Sequence, residues 1–130
     1  MRRAAAVIIQ NEKGEILLAK RGKTRGENGV WENVGGEVES GETKEKAIRR
    51  ECREEIGVDL VDLTTVYSRE FKGVENWEVT VFKAGVLGKP TIMEPEMCSD
   101  LQWFSKNDLH SGRRCFNCIN HRYLFYQCAD

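Results

Sequence analysis

Three glutamates, Glu51, Glu54 and Glu55, stand at the spacing i, i+3 and i+4 in this sequence. On an α-helix of about 3.6 residues per turn, side chains at that spacing lie on one face. Carboxylates gathered on one face repel one another unless a cation lies between them. Hard oxygen ligands of this kind favour Mg²⁺ or Mn²⁺ over softer metals. The spacing therefore predicts a divalent metal site on a helix that follows a glycine-rich segment.

The same segment supports a plainer interpretation, a solvent-exposed helix held by ion pairs. Glu51 and Glu55 argue against it, because they are like charges at i,i+4, a spacing that destabilises a helix. The other charges fit the plainer interpretation. Opposite charges stand at i,i+4 in three pairs: Glu42 with Lys46, Glu45 with Arg49, and Arg50 with Glu54.

A longer pattern surrounds the glutamates. It reads Gly36, five residues, Glu42, seven residues, Arg50-Glu51, an apolar residue, one residue, Glu54-Glu55, one residue, Gly57 and an apolar residue. This pattern resembles the Nudix box in full, with Cys52 at one of its apolar positions. The resemblance implies an α/β fold, the Nudix α/β/α sandwich, in which a mixed β-sheet lies between helical layers.

Nudix enzymes cleave a diphosphate linkage attached to another group, usually by attack of a metal-activated water on phosphorus. The resemblance implies that Glu51, Glu54 and Glu55 hold Mg²⁺, with Mn²⁺ as a substitute, and that the carbonyl of Gly36 completes the ligand set. A carboxylate must also accept a proton from the attacking water.

The resemblance favours Glu51 as that general base. A carboxylate from the Glu94–Glu96 loop is the rival, because the base differs between Nudix subfamilies. Arg50 would orient Glu51, and Glu42 would pair with Arg50 rather than bind the metal.

A second resemblance lies outside the box. The run from Met93 to Cys98, followed by Trp103-Phe104, resembles a loop and strand of small MutT-type nucleotide pyrophosphohydrolases. It implies that Glu94 or Glu96 lies near the metal or near the base of a nucleotide. The alternative for these two residues is an exposed turn.

Three residues upstream of the helix are candidates for substrate binding. Arg21 could meet substrate phosphates through its guanidinium fork. Trp31 could stack on a base, although tryptophans in strands are usually core residues. Asn33 could hydrogen-bond a base edge, and its alternative is an ordinary turn residue.

The short chain and both resemblances favour a MutT-type substrate, a (deoxy)nucleoside triphosphate that is cleaved to a monophosphate and pyrophosphate. The marks of ADP-ribose and dinucleoside polyphosphate subfamilies do not occur after the box. ADP-ribose, nucleotide sugars and dinucleoside polyphosphates nevertheless stay open as alternatives. A rival of a different class is a non-catalytic Nudix domain that senses nucleotides.

The elements that must position these residues follow from periodicity and turn signals. A glycine turn is expected at Gly35-Gly36, and Ser40 or Thr43 would cap the helix that follows. The predicted strands are Arg3 to Gln10, Glu15 to Arg21, Leu60 to Lys72, Trp77 to Leu87 and Leu101 to Phe104, and the predicted helices are Thr43 to Ile56 and Cys115 to Gln127.

Length and charge limit the other possibilities. A chain of 130 residues with 40% hydrophobic residues predicts one domain over 1–130. Its net charge of −1 argues against long nucleic acid as a partner, and its first apolar stretch is too short for a membrane span. We expect a cytoplasmic monomer or homodimer with reduced thiols that acts on a nucleotide.

The cysteines leave one further question. The run Cys115-x-x-Cys118-x-x-His121 could bind zinc, although its spacing matches no standard ligand set. The alternative is one face of the predicted amphipathic last helix.

Overall fold

A computed structural model describes residues 1–23 and 31–105. The predicted last helix, with Cys115, Cys118 and His121, lies outside the described residues, and so does the second helical layer that it was expected to form. None of the described helices is long and apolar enough to cross a membrane. The elements are β1 (Arg2–Gln10), β2 (Ile16–Arg21), β3 (Trp31–Glu32), β4 (Val34–Glu37), α1 (Lys44–Ile56), β5 (Asp59–Phe71), β6 (Trp77–Leu87) and β7 (Cys98–Phe104).

The strands form one seven-stranded mixed sheet, in which β3, β2, β1, β6 and β5 follow one another, while β4 pairs with β1 and β7 with β2. β1 runs parallel to β6 and antiparallel to β2 and β4. The predicted antiparallel pairing of β5 with β6 is confirmed. Because β1 is covered on both faces, Val7, Ile8 and Ile9 are all buried, which explains the unbroken apolar run at this point.

The sheet opens between β1 and β2. These strands pair only near their connecting turn, where Ile9 faces Leu17. Farther along, β3 pairs with β2 and β4 pairs with β1. Asn33 lies between β3 and β4 and is buried, so it marks the point where the chain changes its pairing partner.

The prediction of a glycine turn at Gly35-Gly36 is wrong, because both residues are extended and belong to β4. Both positions require glycine because neighbouring atoms lie too close to leave room for a side chain. A Cβ on Gly35 would lie 2.3 Å from the carbonyl oxygen of Ala5. A Cβ on Gly36 would lie 2.5 Å from the carboxyl carbon of Glu51. The two glycines therefore allow β4 to pass between the central strand and α1.

The predicted first helix is confirmed, and it starts one residue later than expected. The Thr43 hydroxyl caps it by accepting a hydrogen bond of 3.1 Å from the Lys46 amide. At its end Gly57 takes the left-handed conformation, with φ 66°, and donates to the Arg53 carbonyl. The buried face of α1 consists of Ala47, Ile48, Cys52 and Ile56.

Each face of the sheet carries its own apolar cluster. The cluster beneath α1 includes Val7, Leu17, Val34 and Phe82. The opposite face carries a second cluster, with Trp31, Tyr67 and Phe71 partly buried at its border and a buried centre formed by Ile8, Ile16, Leu18, Val79, Val81 and Phe104.

Candidate active site

The guanidinium of Arg50 lies at the centre of the box. Its Nη1 is 2.9 Å from Glu51 Oε1 and 3.1 Å from Glu54 Oε1. Its Nε and Nη2 donate to the Glu42 carboxylate at 2.8 and 3.0 Å, and Nη2 also donates to the Glu37 carbonyl at 3.2 Å. The predicted pairing of Glu42 with Arg50 is confirmed. One cation thus holds three carboxylates and one end of β4 together.

This arrangement has a marked effect on Glu42. Hydrogen bonds from Arg50, followed by one from the Glu39 amide, lower the pKa of Glu42 from 4.5 to about 2. Its hydrogen bonds to Glu42, and then those to Glu51 and Glu54, raise the pKa of Arg50 further above its usual range. Glu42 is therefore ionised at neutral pH, and its charge is committed to Arg50.

The depressed pKa of Glu42 predicts a stability loss in acid. A carboxylate whose folded pKa lies below its unfolded value stabilises the fold above the unfolded pKa, and that contribution disappears as pH falls through the folded pKa. For Glu42 the window runs from pH 4.5 down to about 2. We expect the thermal midpoint of the wild type to fall more steeply through this window than that of Glu42→Gln. Calorimetry at closely spaced pH values measures the thermal midpoint of each protein as a function of pH. Glu45→Gln is the control on the same helix. Parallel curves for the wild type and Glu42→Gln would contradict the prediction.

The carboxylate of Glu51 lies against the backbone of Gly36, in the space that a Cβ would fill. The structure therefore brings together the predicted base, the predicted carbonyl ligand and Arg50. Glu54 is beside them and more exposed, whereas Glu55 is partly buried. Within the described part of the chain, no three acidic, cysteine or histidine side chains form a ready-made metal cluster. The metal set of Gly36, Glu51, Glu54 and Glu55 stays a prediction.

The loop that carries Glu94 and Glu96 is fastened to the last turn of α1. The Thr91 amide donates to the Ile56 carbonyl at 3.0 Å, and the Met93 amide donates to the Glu55 carbonyl at 3.1 Å. Both loop carboxylates are exposed. Their roles stay predictions, because the loop's backbone, rather than its acids, makes these contacts.

The same loop also contacts the end of β2. The Gly22 amide donates to the Met97 carbonyl at 2.9 Å, and a Cβ on Gly22 would lie 2.3 Å from the Glu96 carbonyl oxygen. The candidate residue Arg21 precedes this contact. The loop therefore joins the end of β2 to the end of α1.

Arg21 itself forms an ion pair that the sequence analysis did not identify. Its Nε lies 3.1 Å from Glu32 Oε1, and the two side chains are only 16% and 12% exposed. A largely buried pair of this kind depends on both partners, because removing one leaves the other charge uncompensated. The proposed contact of Arg21 with substrate phosphates stays a prediction.

Trp31 lies on the face of the sheet opposite α1. Its ring meets Phe104 edge to face, with 5.1 Å between centroids, and the Lys20 ammonium lies 5.9 Å from the Trp31 centroid. Trp31 is thus partly buried among core residues, and Asn33 is buried at the junction of β3 and β4. Base recognition by either residue stays a prediction.

A pocket of about 540 Å³, which was not predicted from the sequence, lies at the turn between β5 and β6. Phe71 and Trp77 face each other across the two strands there, with Val79 beside them. An aromatic residue on each side of a predicted hairpin turn was the available signal. The complete lining is Phe71, Lys72, Gly73, Val74, Glu75, Trp77 and Val79.

Two described cysteines, Cys52 and Cys98, are buried and free. Burial raises the pKa of both thiols, and the charge of Glu55 raises it further. Protonated, buried thiols are poor nucleophiles and poor metal ligands. Neither Cys52 nor Cys98 is therefore a candidate for the chemistry of this site.

The fold and the box define the class of protein. The NUDIX domain model matches residues 1–121, and the chain belongs to the Nudix family. A MutT NUDIX hydrolase from Burkholderia pseudomallei is 32% identical, with a TM-score of 0.73 over 82% of this chain and 84% of that one. A MutT structure from work on Aliivibrio salmonicida and Vibrio cholerae is 28% identical, with a TM-score of 0.78 over 98% and 97%. The predicted family, MutT-like character and mixed α/β fold are confirmed.

A relative in sequence carries a different name. The isopentenyl-diphosphate Delta-isomerase of Salmonella heidelberg (strain SL476) is 38% identical over an alignment of 102 residues that covers 72% of this chain. The chain spans only 56% of the length of that relative. That relative is named for a diphosphate that carries no nucleoside.

Proposed function

We propose that this protein is a Mg²⁺-dependent pyrophosphohydrolase acting on a nucleoside diphosphate-linked substrate. The favoured reaction converts a (deoxy)nucleoside triphosphate into a monophosphate and pyrophosphate. One observation carries the proposal: Arg50 holds Glu51 and Glu54 at the strand that contains Gly36. That arrangement places carboxylates beside a backbone segment that has no Cβ to block access to them.

The residues present fit a hard divalent cation. Glu51, Glu54, Glu55 and the Gly36 carbonyl offer only oxygen donors, the ligands that Mg²⁺ and Mn²⁺ prefer. When bound, the metal would lower the pKa of a coordinated water and neutralise charge on the phosphates. The glycine at position 36 supports this role, because any side chain there would displace Glu51.

A side chain of this protein would accept the proton of the attacking water. The water oxygen bonds to phosphorus, the phosphoanhydride P–O bond between the α- and β-phosphates breaks, and the leaving group, either pyrophosphate or the nucleoside monophosphate, takes the bonding electron pair. Glu51 accepts the proton, with its carboxylate oriented by the 2.9 Å contact to Arg50. Glu94 or Glu96 is the alternative base, since their loop is fastened to the last turn of α1.

The nucleoside part of the substrate needs an apolar site. The pocket between Phe71 and Trp77 has aromatic walls and enough volume, about 540 Å³, for a base. Trp31 and Asn33 remain the earlier candidates, but the Trp31 ring is already packed against Phe104 and Asn33 is buried. We favour the pocket for the base and Arg21 for the phosphates.

A second candidate rests on the isomerase relative. Its name indicates an isoprenoid diphosphate, which shares the diphosphate group but lacks a base. Isomerising a double bond requires proton donors and acceptors around an apolar chain, whereas the carboxylates here converge on Arg50. Hydrolysis is therefore the stronger proposal. The alternative substrates are ADP-ribose, nucleotide sugars and dinucleoside polyphosphates, and the alternative function is that of a non-catalytic nucleotide sensor.

We also propose that the protein is cytoplasmic and is a monomer or homodimer. We propose no membrane partner and no nucleic-acid partner.

The test is an assay of the purified chain with Mg²⁺ and a substrate panel. The panel contains canonical and oxidised nucleoside triphosphates, ADP-ribose, dinucleoside polyphosphates and isopentenyl diphosphate, with products separated by chromatography. We expect a monophosphate and pyrophosphate from a triphosphate, no product in excess chelator, and recovery when Mg²⁺ is restored. Isomerisation of isopentenyl diphosphate without hydrolysis would overturn the proposal, as would Mg²⁺-dependent binding of nucleotides without any turnover.

A further inference from the structure

The side chain of Arg2 joins three parts of the molecule at one end of the sheet. Its Nε and Nη2 donate to the two Glu37 carboxylate oxygens at 2.8 and 2.7 Å. Its Nη1 donates to Glu75 at 2.7 Å, and its guanidinium lies over the Trp77 ring, 4.4 Å from the centroid. The Arg2 amide also donates to the Asn76 carbonyl. One residue thus contacts β4, β6 and the turn before β6.

These partners belong to two sites. Glu75 and Trp77 line the pocket of about 540 Å³. Glu37 directly follows Gly36, and its carbonyl accepts a hydrogen bond from Arg50. Arg2 is therefore the link between the pocket wall and the strand that carries the catalytic contacts.

Stability alone does not account for such a residue. The side chains of Arg2, Glu37 and Glu75 are 48%, 43% and 54% exposed. Ion pairs with that exposure contribute little to the folding free energy, because water and salt screen them. What a guanidinium provides instead is geometry: a planar fork on one carboxylate, a third bond to another, and a flat face against an indole ring.

We propose that Arg2 is a positioning residue that fixes the Glu75–Trp77 wall of the pocket relative to Glu37. Arg2 would thereby determine how tightly the nucleoside part of the substrate is bound. The hydrolytic step would depend instead on Arg50 and the carboxylates that it contacts. This inference rests on the proposed function, including the proposed use of the pocket. Lysine would replace it only in part, because an ammonium group has neither the fork nor the flat face.

The experiment compares the full-length wild type with Arg2→Ala and Arg2→Lys, using the nucleotide that the substrate panel identifies. For Arg2→Ala we expect KM to rise about fivefold to tenfold with kcat within about twofold, the size expected from two exposed ion pairs and a cation–π contact. Arg2→Lys should recover part of the loss. Arg53→Ala is the matched control, since Arg53 also forms an exposed ion pair, to Asp59, and should keep wild-type KM.

Product inhibition separates positioning from a general structural effect. Inhibition by the nucleoside monophosphate should weaken about fivefold in Arg2→Ala, whereas inhibition by inorganic pyrophosphate should not change, because only the former has a nucleoside part. Glu75→Gln, which removes one of the contacts, should shift KM in the same direction and serves if Arg2→Ala unfolds.

Two outcomes would overturn the inference while the proposed function survives. One is wild-type KM in both Arg2→Ala and Glu75→Gln. The other is a fall in kcat with unchanged KM, since that would place Arg2 in the chemical step or in overall folding. If the wild type itself turns over no nucleotide, the proposed function fails and this inference fails with it.

Discussion

Glu54→Gln is expected to lower kcat by about 10³-fold, which corresponds to roughly 4 kcal/mol of transition-state stabilisation. The substitution keeps the size of the side chain and removes its negative charge, so it weakens a proposed metal ligand without leaving a cavity. Glu54 also contributes to the charge that balances Arg50, from which it lies 3.1 Å away. Steady-state kinetics with saturating Mg²⁺, using the substrate that the panel identifies, measures the loss.

The same substitution should hardly change folding. The Glu54 side chain is 47% exposed, and its i,i+4 pair with Arg50 is of the kind that contributes about 0.3–0.5 kcal/mol. Thermal unfolding of Glu54→Gln should therefore nearly coincide with that of the wild type. Glu45→Gln is the matched control, because it makes the same charge change on the same helix and should keep full activity. Activity near wild type in Glu54→Gln would remove Glu54 from the proposed metal set and favour the acids of the Glu94–Glu96 loop.

The helix that carries these glutamates could be predicted from sequence because its signals are local. Thr43 and Gly57 cap its two ends through contacts with residues three or four positions away. The apolar stripe that includes Ile48 and Cys52 repeats at the helical period, so its burial followed as well. The pairing of Glu42 with Arg50 was implied by the resemblance to the box, since Glu42 precedes the helix and Arg50 lies in its second turn.

The rest of the site depends on contacts between residues far apart in sequence. β3 and β4 span only Trp31–Glu32 and Val34–Glu37, and a strand with two glycines has weak β-propensity. Its pairing is decided by the gap that opens between β1 and β2. The position of Arg2 was equally inaccessible, since its partners Glu37 and Glu75 lie 35 and 73 residues away. Local periodicity carries no information about such pairs.

The adjacent glycines of β4 give the second prediction with a large effect. Gly36→Ala should lower kcat about 10²-fold, the cost expected when a catalytic group is misplaced by about 1 Å. The new Cβ would lie 2.5 Å from the carboxyl carbon of Glu51, so the carboxylate has to move. Because that carboxylate ends a flexible side chain, the fold can accommodate the change, and thermal unfolding should shift only slightly.

Gly35→Ala is the contrasting variant, because its Cβ would meet backbone rather than a side chain. The Ala5 carbonyl oxygen would lie 2.3 Å away, in a central strand that is paired on both sides. We expect a loss of about 3 kcal/mol in unfolding free energy, measured by denaturant titration, with activity lost only as far as the protein unfolds. An active Gly36→Ala would contradict the placement of Glu51 against β4. If Gly36→Ala and Gly35→Ala lose stability equally, the residue at position 36 is glycine for packing alone, and only Arg50 and its carboxylates then support a catalytic role for this site.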